Sequence, residues 1–236
     1  MLNEISPRRI ARITGLLCLL TILTGIFAQG FVSDRLVVSG NAAATATNIL
    51  AHRGLFQLGF TVFIIEMVCQ VAKVALFYVL LKPVNRSVAL VSAFIELAGS
   101  VLKTVARVFF IAPLFILSGS PALSGFSGEQ LQSLTMVLLK VNGQGAGMGL
   151  AFFGFSTVLQ GYLIFRSTFL PRWLGWLSMV SGVGWLTFLY QPLGSRAFLP
   201  VVLVALLSSA AMIFWLLVFG VNEEKWKARA EHRSEL

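Results

Sequence analysis

The sequence predicts an all-α fold: a polytopic transmembrane helical bundle of about six spans with both termini cytoplasmic. Three observations carry that prediction. The first is composition: 57% of the 236 residues are hydrophobic, only 11% are charged, and mean hydropathy is +0.87. A soluble domain carries about 25% charged residues, so most of this surface is built to face something other than water. The second is that the apolar residues gather into runs near the ~20 residues a helix needs to cross a bilayer. The third is that basic residues mark alternate ends of those runs. Nothing in composition marks a second domain, so residues 1–236 read as a single transmembrane helical domain.

The runs place spans at Ile13 to Phe31, Leu55 to Leu81, Ser87 to Leu117, Gly143 to Phe165, Trp173 to Tyr190 and Phe198 to Val218. The third is long, so it tilts or projects beyond the lipid. Arg8, Arg9 and Arg12 lead into the first span, and Lys82 and Arg86 fill the turn after the second. Arg166 and Arg172 bracket the turn after the fourth. Lys225, Lys227, Arg229 and Arg233 follow the sixth. The opposite side holds Arg35, Arg53, Arg196 and Lys140. The positive-inside rule then sets both termini in the cytoplasm. The first run also has the basic start and apolar middle of a signal peptide, with Ala28-Gln29-Gly30 as a weak cleavage site. Its length favours a retained helix.

The net charge of +9 and pI near 10.3 suit a nucleic-acid partner in the abstract. Here the charges flank spans instead, so membrane lipids are the expected partners and no nucleic acid is. Cys18 and Cys69 lie in apolar runs and read as buried thiols. His52 and His232 fall on opposite sides of the membrane, so no metal site and no cofactor is expected. No zinc-binding His/Glu motif, Gly-x-Ser-x-Gly elbow or carboxylate pair on one span supports an enzyme, and no catalytic residue is assigned.

Two outer segments have patterns of their own. Asn41 to Arg53 is Ala-rich and predicts a short surface helix. Ser127 and Gln130 fit a capping box, after which Leu131, Leu134, Leu138 and Val141 recur at helical spacing. This predicts an amphipathic helix leading into the fourth span. That span opens with Asn142-Gly-Gln-Gly-Ala-Gly-Met-Gly149. No strand precedes it and no Lys-Ser or Lys-Thr follows, so it is not a phosphate loop. Gly143 with Gly147, and Gly145 with Gly149, suit close helix packing. Alternatively the helix bends or unwinds there and exposes Asn142, Gln144 and Gln160 to a polar cavity.

Four stretches carry a family resemblance. They are Arg9-Ile-Ala-Arg-Ile-Thr-Gly15, Ala46-Thr-Asn-Ile-Leu-Ala-His-Arg53, Leu81-Lys-Pro-Val-Asn-Arg-Ser-Val-Ala-Leu90 and Gly161-Tyr-Leu-Ile-Phe-Arg-Ser-Thr-Phe-Leu-Pro-Arg-Trp-Leu-Gly175. In this order they resemble the bacterial membrane family called domain of unknown function 4386. The resemblance implies a multi-pass protein of a bacterial inner (plasma) membrane and brings no activity with it. The last stretch also has a physical reading. Arg166 and Arg172 suit an anionic inner surface, Pro171 starts a helix, Trp173 and Trp176 suit the aromatic belt, and Gly175 permits close helix approach.

Charges inside the spans are the candidate site, since a charge at bilayer depth costs at least a few kcal/mol unless paired or hydrated. Glu66, Gln70 and Lys73 share one helix face, and Glu96, Ser100, Lys103 and Arg107 share another. The two helices form an antiparallel hairpin around Pro83 and Asn85. At ~1.5 Å per residue, Lys73 and Glu96 both lie roughly 12–14 Å from the inner end, and Glu66 and Lys103 roughly 22–24 Å. Glu66 therefore pairs with Lys103, and Glu96 with Lys73. Arg107 is left without an acid at its level.

Two functions remain open at this point. In one, the charged row lines an intramembrane pocket that binds or moves a small anionic ligand, a lipid or an ion. In the other, the charges only fix helix register in a non-catalytic scaffold or sensor. Oligomeric state is not legible in the sequence.

Overall fold

The computed structural model describes residues 6–234. These residues form nine helices and no strand. Helix α1 is Pro7–Leu36, α2 Ala42–Ala51, α3 Arg53–Leu81, α4 Arg86–Ile116 and α5 Gly128–Arg166. Helix α6 is Arg172–Leu186, α7 Gln191–Arg196, α8 Phe198–Val218 and α9 Glu223–Ser234. Short 3-10 turns occupy Pro121–Leu123 and Thr187–Leu189.

Five of the helices (α1, α3, α4, α5 and α8) are long and apolar enough to cross a membrane. The span expected at Trp173 to Tyr190 is helix α6, 15 residues, continued by the 3-10 turn Thr187–Leu189. Together they cover about 28 Å, close to the ~30 Å hydrocarbon core. Helix α4 carries the plainest sign of lipid. Its Glu96 and Arg107 are 4% and 3% exposed, while Phe94 and Val108 on other faces are 62% and 60% exposed. Water would reverse that arrangement, whereas lipid tails accept the apolar face and leave the polar one inside.

Local signals set the helix ends. Asn41 caps α2, its Oδ1 accepting from the Ala44 N–H at 2.9 Å. The capping box forms at the start of α5: the Ser127 N–H donates to Gln130 Oε1 at 2.8 Å, and the Gln130 N–H to Ser127 Oγ at 3.3 Å. Asn85 accepts from the Val88 N–H at 3.1 Å and so starts α4 after the Pro83 turn. Pro171 precedes α6 as its N-cap.

The alternatives left open at the start of the fourth span are resolved in favour of an intact, closely packed helix. The outer amphipathic helix and the fourth span are one unbroken 39-residue helix, α5, with no unwinding at Asn142 or Gln144. Irregular backbone in lipid would strand N–H and C=O groups, so an intact helix is the low-energy choice. Of the expected packing glycines, Gly145 and Gly149 do sit at close helix approaches, and further glycines join them. A Cβ on Gly143 would meet open space, but one on Gly145 would sit 2.8 Å from the Ala106 Cβ, and one on Gly99 would sit 3.0 Å from the Gly149 carbonyl oxygen. A Cβ on Gly161 would sit 2.7 Å from the Gly175 carbonyl oxygen, and one on Gly154 2.9 Å from that of Gly182. Backbone therefore meets backbone between α5 and α6, at Gly175 as expected.

The chain forms two compact units. Unit 1 comprises the described residues of Met1–Leu20, Cys69–Ser100 and Met148–Leu236. Its core includes Ile10, Leu80, Leu163, Leu174 and Leu216. The Trp226 indole N–H donates to the Leu80 carbonyl at 2.9 Å and ties α9 to α3. Unit 2 comprises Thr21–Val68 and Val101–Gly147. Its core holds Val32, Ile49 and three rings. Phe56 stacks on Phe110 with centroids 4.4 Å apart, and Phe63 meets Phe110 edge-on at 5.2 Å.

Candidate functional site

Each unit holds one buried charged cluster. In unit 1 the centre is the Glu96 carboxylate. Its Oε1 accepts from Lys73 Nζ at 3.0 Å and from Gln70 Nε2 at 2.9 Å. Its Oε2 accepts from Ser156 Oγ at 2.8 Å and from Gln160 Nε2. Four donors meet an acceptor with about four lone-pair sites. Helical spacing explains who is present. Gln70 and Lys73 are one turn apart on α3, and Ser156 and Gln160 one turn apart on α5. Ser92 packs on the same contact, 3.1 Å from Ser156 Oγ. Ser100 returns its hydroxyl to the Glu96 carbonyl at 2.9 Å.

In unit 2 the Glu66 carboxylate receives Lys103 Nζ on Oε1 at 2.8 Å. Its Oε2 is buried with no hydrogen-bond partner. Gly25 of α1 leaves room for this carboxylate, since a Cβ there would lie 3.4 Å from Glu66 Oε1. Arg107 donates from Nη1 to Asn142 Oδ1 at 3.1 Å, and its guanidinium carbon lies 3.5 Å over the centre of the Phe63 ring. Its Nε is buried without a partner. So is the hydroxyl of Thr135, seven residues before Asn142 on α5. The formal charges of Glu66, Lys103 and Arg107 sum to one net positive, whereas Glu96 and Lys73 cancel.

The expected ion pairs Glu66–Lys103 and Glu96–Lys73 are both present. Of the candidate residues, Gln70, Lys73 and Glu96 gather in unit 1, and Glu66, Lys103, Arg107 and Asn142 in unit 2. Gln144 is exposed, two residues beyond Asn142 on α5. Ser156, Phe63, Gly25 and Thr135 were not anticipated. Ser156 carries a faint signal, a polar residue one turn from Gln160 in an apolar span. The ring of Phe63, three residues from Glu66, has none.

Among the described residues no group of His, Cys, Asp and Glu is arranged to hold a metal ion. No curated protein and no solved structure gives a significant match to the chain. The family model described as domain of unknown function (DUF4386) matches residues 13–220, which take in most of α1, the other four long apolar helices and both charged clusters. The chain therefore belongs to the DUF4386 family.

Proposed function

We propose that this chain is a multi-pass protein of a bacterial inner membrane, with both termini cytoplasmic. In this reading the unit 2 cluster is a binding site for a small anion or anionic group inside the membrane. One observation carries the reading. Arg107 is 3% exposed, its Nη1 donates to a neutral amide, and its Nε is unsatisfied. A guanidinium cannot shed its proton to escape the cost of burial. Its planar fork matches a carboxylate or phosphate, and a smaller anion can take one edge of it. Asn142 and Lys103 would add donors, and Glu66 would limit the attraction to about one net positive charge. Release is then as feasible as capture, which suits a carrier as well as a receptor.

The test uses purified protein titrated with chloride, phosphate and acetate by calorimetry. Saturable binding of at least one of them, weakened tenfold or more in Arg107→Gln, is the expected result. Binding that survives the substitution unchanged, or no binding of any of the three, overturns the reading. For topology, a cysteine placed in the Lys82 to Arg86 turn should resist a membrane-impermeant reagent in intact cells.

A scaffold or sensor without a ligand is the second reading. The closed Glu96 network favours it, because that cluster leaves its carboxylate no open position.

A further inference from the structure

We propose that unit 1 carries a lipid headgroup site, specific for a zwitterionic aminophospholipid, at the end of α8. A cleft of about 560 Å³ opens there, within the ~300–1,000 Å³ range of small-molecule sites. Its lining includes the charged Arg8, Glu223 and Glu224 and the aromatic Trp215 and Phe219. Everything that lines it belongs to unit 1.

Position argues for lipid. Helix α8 has 21 residues and is the most apolar of the long helices. It covers about 31 Å, so a cleft at its final turn lies at headgroup level. Phe214, Val218 and Phe219 are about half exposed beside it and offer apolar surface to acyl chains. Trp173 meets Trp215 edge-on at 6.1 Å, an aromatic pair of the kind found at membrane interfaces.

Charge selects the headgroup. Arg8 is exposed, and one of its donors, Nε, reaches the Phe219 carbonyl at 3.4 Å, which anchors the side chain at the cleft. The remaining donors of its guanidinium suit a phosphodiester. Glu223 is half-buried and Glu224 exposed. Their carboxylates suit an ammonium group, and the Trp215 indole in the same lining adds an aromatic surface that attracts cations. A headgroup that is anionic overall would satisfy Arg8 but meet two carboxylates. A quaternary ammonium would keep the aromatic contact and lose the N–H donors. A primary ammonium joined to a phosphate, as in phosphatidylethanolamine, matches all three features.

The full chain, purified in detergent, is mixed with equimolar phosphatidylethanolamine, phosphatidylcholine and phosphatidylglycerol and the retained lipid read by native mass spectrometry. Phosphatidylethanolamine should be retained at least fivefold over phosphatidylglycerol. The double variant Glu223→Gln with Glu224→Gln should erase that preference, and Arg8→Gln should lower retention of phosphatidylethanolamine. If the double variant is not monodisperse, Glu224→Gln alone is used, and its exposed position makes misfolding a poor explanation of any loss. Equal retention of the three lipids by the wild type, or a preference unchanged in the carboxylate variants, overturns the proposal. The anion titration at Arg107 is independent of either result.

Discussion

Glu96 and Glu66 are the same residue type, each buried and each paired with a lysine, yet their surroundings differ. Glu96 receives Lys73, Gln70, Ser156 and Gln160 on its two oxygens. Glu66 receives Lys103 on one oxygen and has no partner on the other. Arg107 of the same unit also has an unsatisfied nitrogen. A closed carboxylate is a structural element, since every polar atom it brings inside is accounted for. An open one, beside an extra positive charge, has capacity left for a ligand. The pairing of acid with base alone does not distinguish the two roles; the count of donors around each oxygen does.

The sharpest way to break the comparison is to remove the acid of the closed network. Glu96→Ala takes the carboxylate from the half-buried Lys73 and deprives three neutral donors of their acceptor. A loss of about 3–5 kcal/mol is expected for breaking such a pair, measured by unfolding in mixed micelles. A loss under about 1 kcal/mol, typical of exposed pairs, would mean that water reaches Glu96 and that the network is not closed.

The open cluster should respond differently to removal of both partners. Glu66→Gln and Lys103→Met each break the ion pair and should each cost about 2–4 kcal/mol. The double substitution should cost clearly less than their sum, with coupling of about 1 kcal/mol or more between residues in contact. Additive losses would show that the 2.8 Å contact contributes nothing.

Arg107→Gln should change stability by less than about 2 kcal/mol, because it discards a costly charge along with one hydrogen bond to Asn142 and the contact with the Phe63 ring. Binding should fall while folding holds. A loss as large as that of Glu96→Ala would place Arg107 among the structural charges and remove the contrast between the clusters.

These sites were unequally legible in the sequence. The ion pairs followed from spacing and depth, since Glu66 and Lys73 run opposite to Lys103 and Glu96 along an antiparallel hairpin. The cap at Ser127 and Gln130 was legible because its geometry is local. The partners that close the Glu96 network were not. Ser156 is 60 residues away, and no local pattern says which face of α5 meets α4. The same holds for Gly154 and Gly161, which lack the motif spacing that drew attention to Gly143. The continuity of α5 through its glycines was one of two local readings, and the bilayer decides between them. Glycine weakens helices in water, but in lipid the intrahelical bond is the only partner a backbone group has. Thus the local and the periodic were readable, whereas contacts across the bundle were not.

The finest test of the comparison sets two hydroxyls against each other. Ser156 Oγ donates to Glu96, and Ser156 is fully buried. Thr135 is also fully buried, and its hydroxyl has no partner. Ser156→Ala removes a hydrogen bond to a charged acceptor and should cost about 1.5–3 kcal/mol. Thr135→Val keeps the shape of the side chain and removes only an unsatisfied dipole. It should be neutral or stabilise by about 1 kcal/mol in protein stripped of ligand. The signs therefore differ between units, and thermal unfolding of the two variants reads them directly. Thr135→Val that destabilises as much as Ser156→Ala would show that the hydroxyl is engaged in the resting protein. Unit 2 would then be as closed as unit 1, and the case for an open site at Arg107 would lose its structural ground.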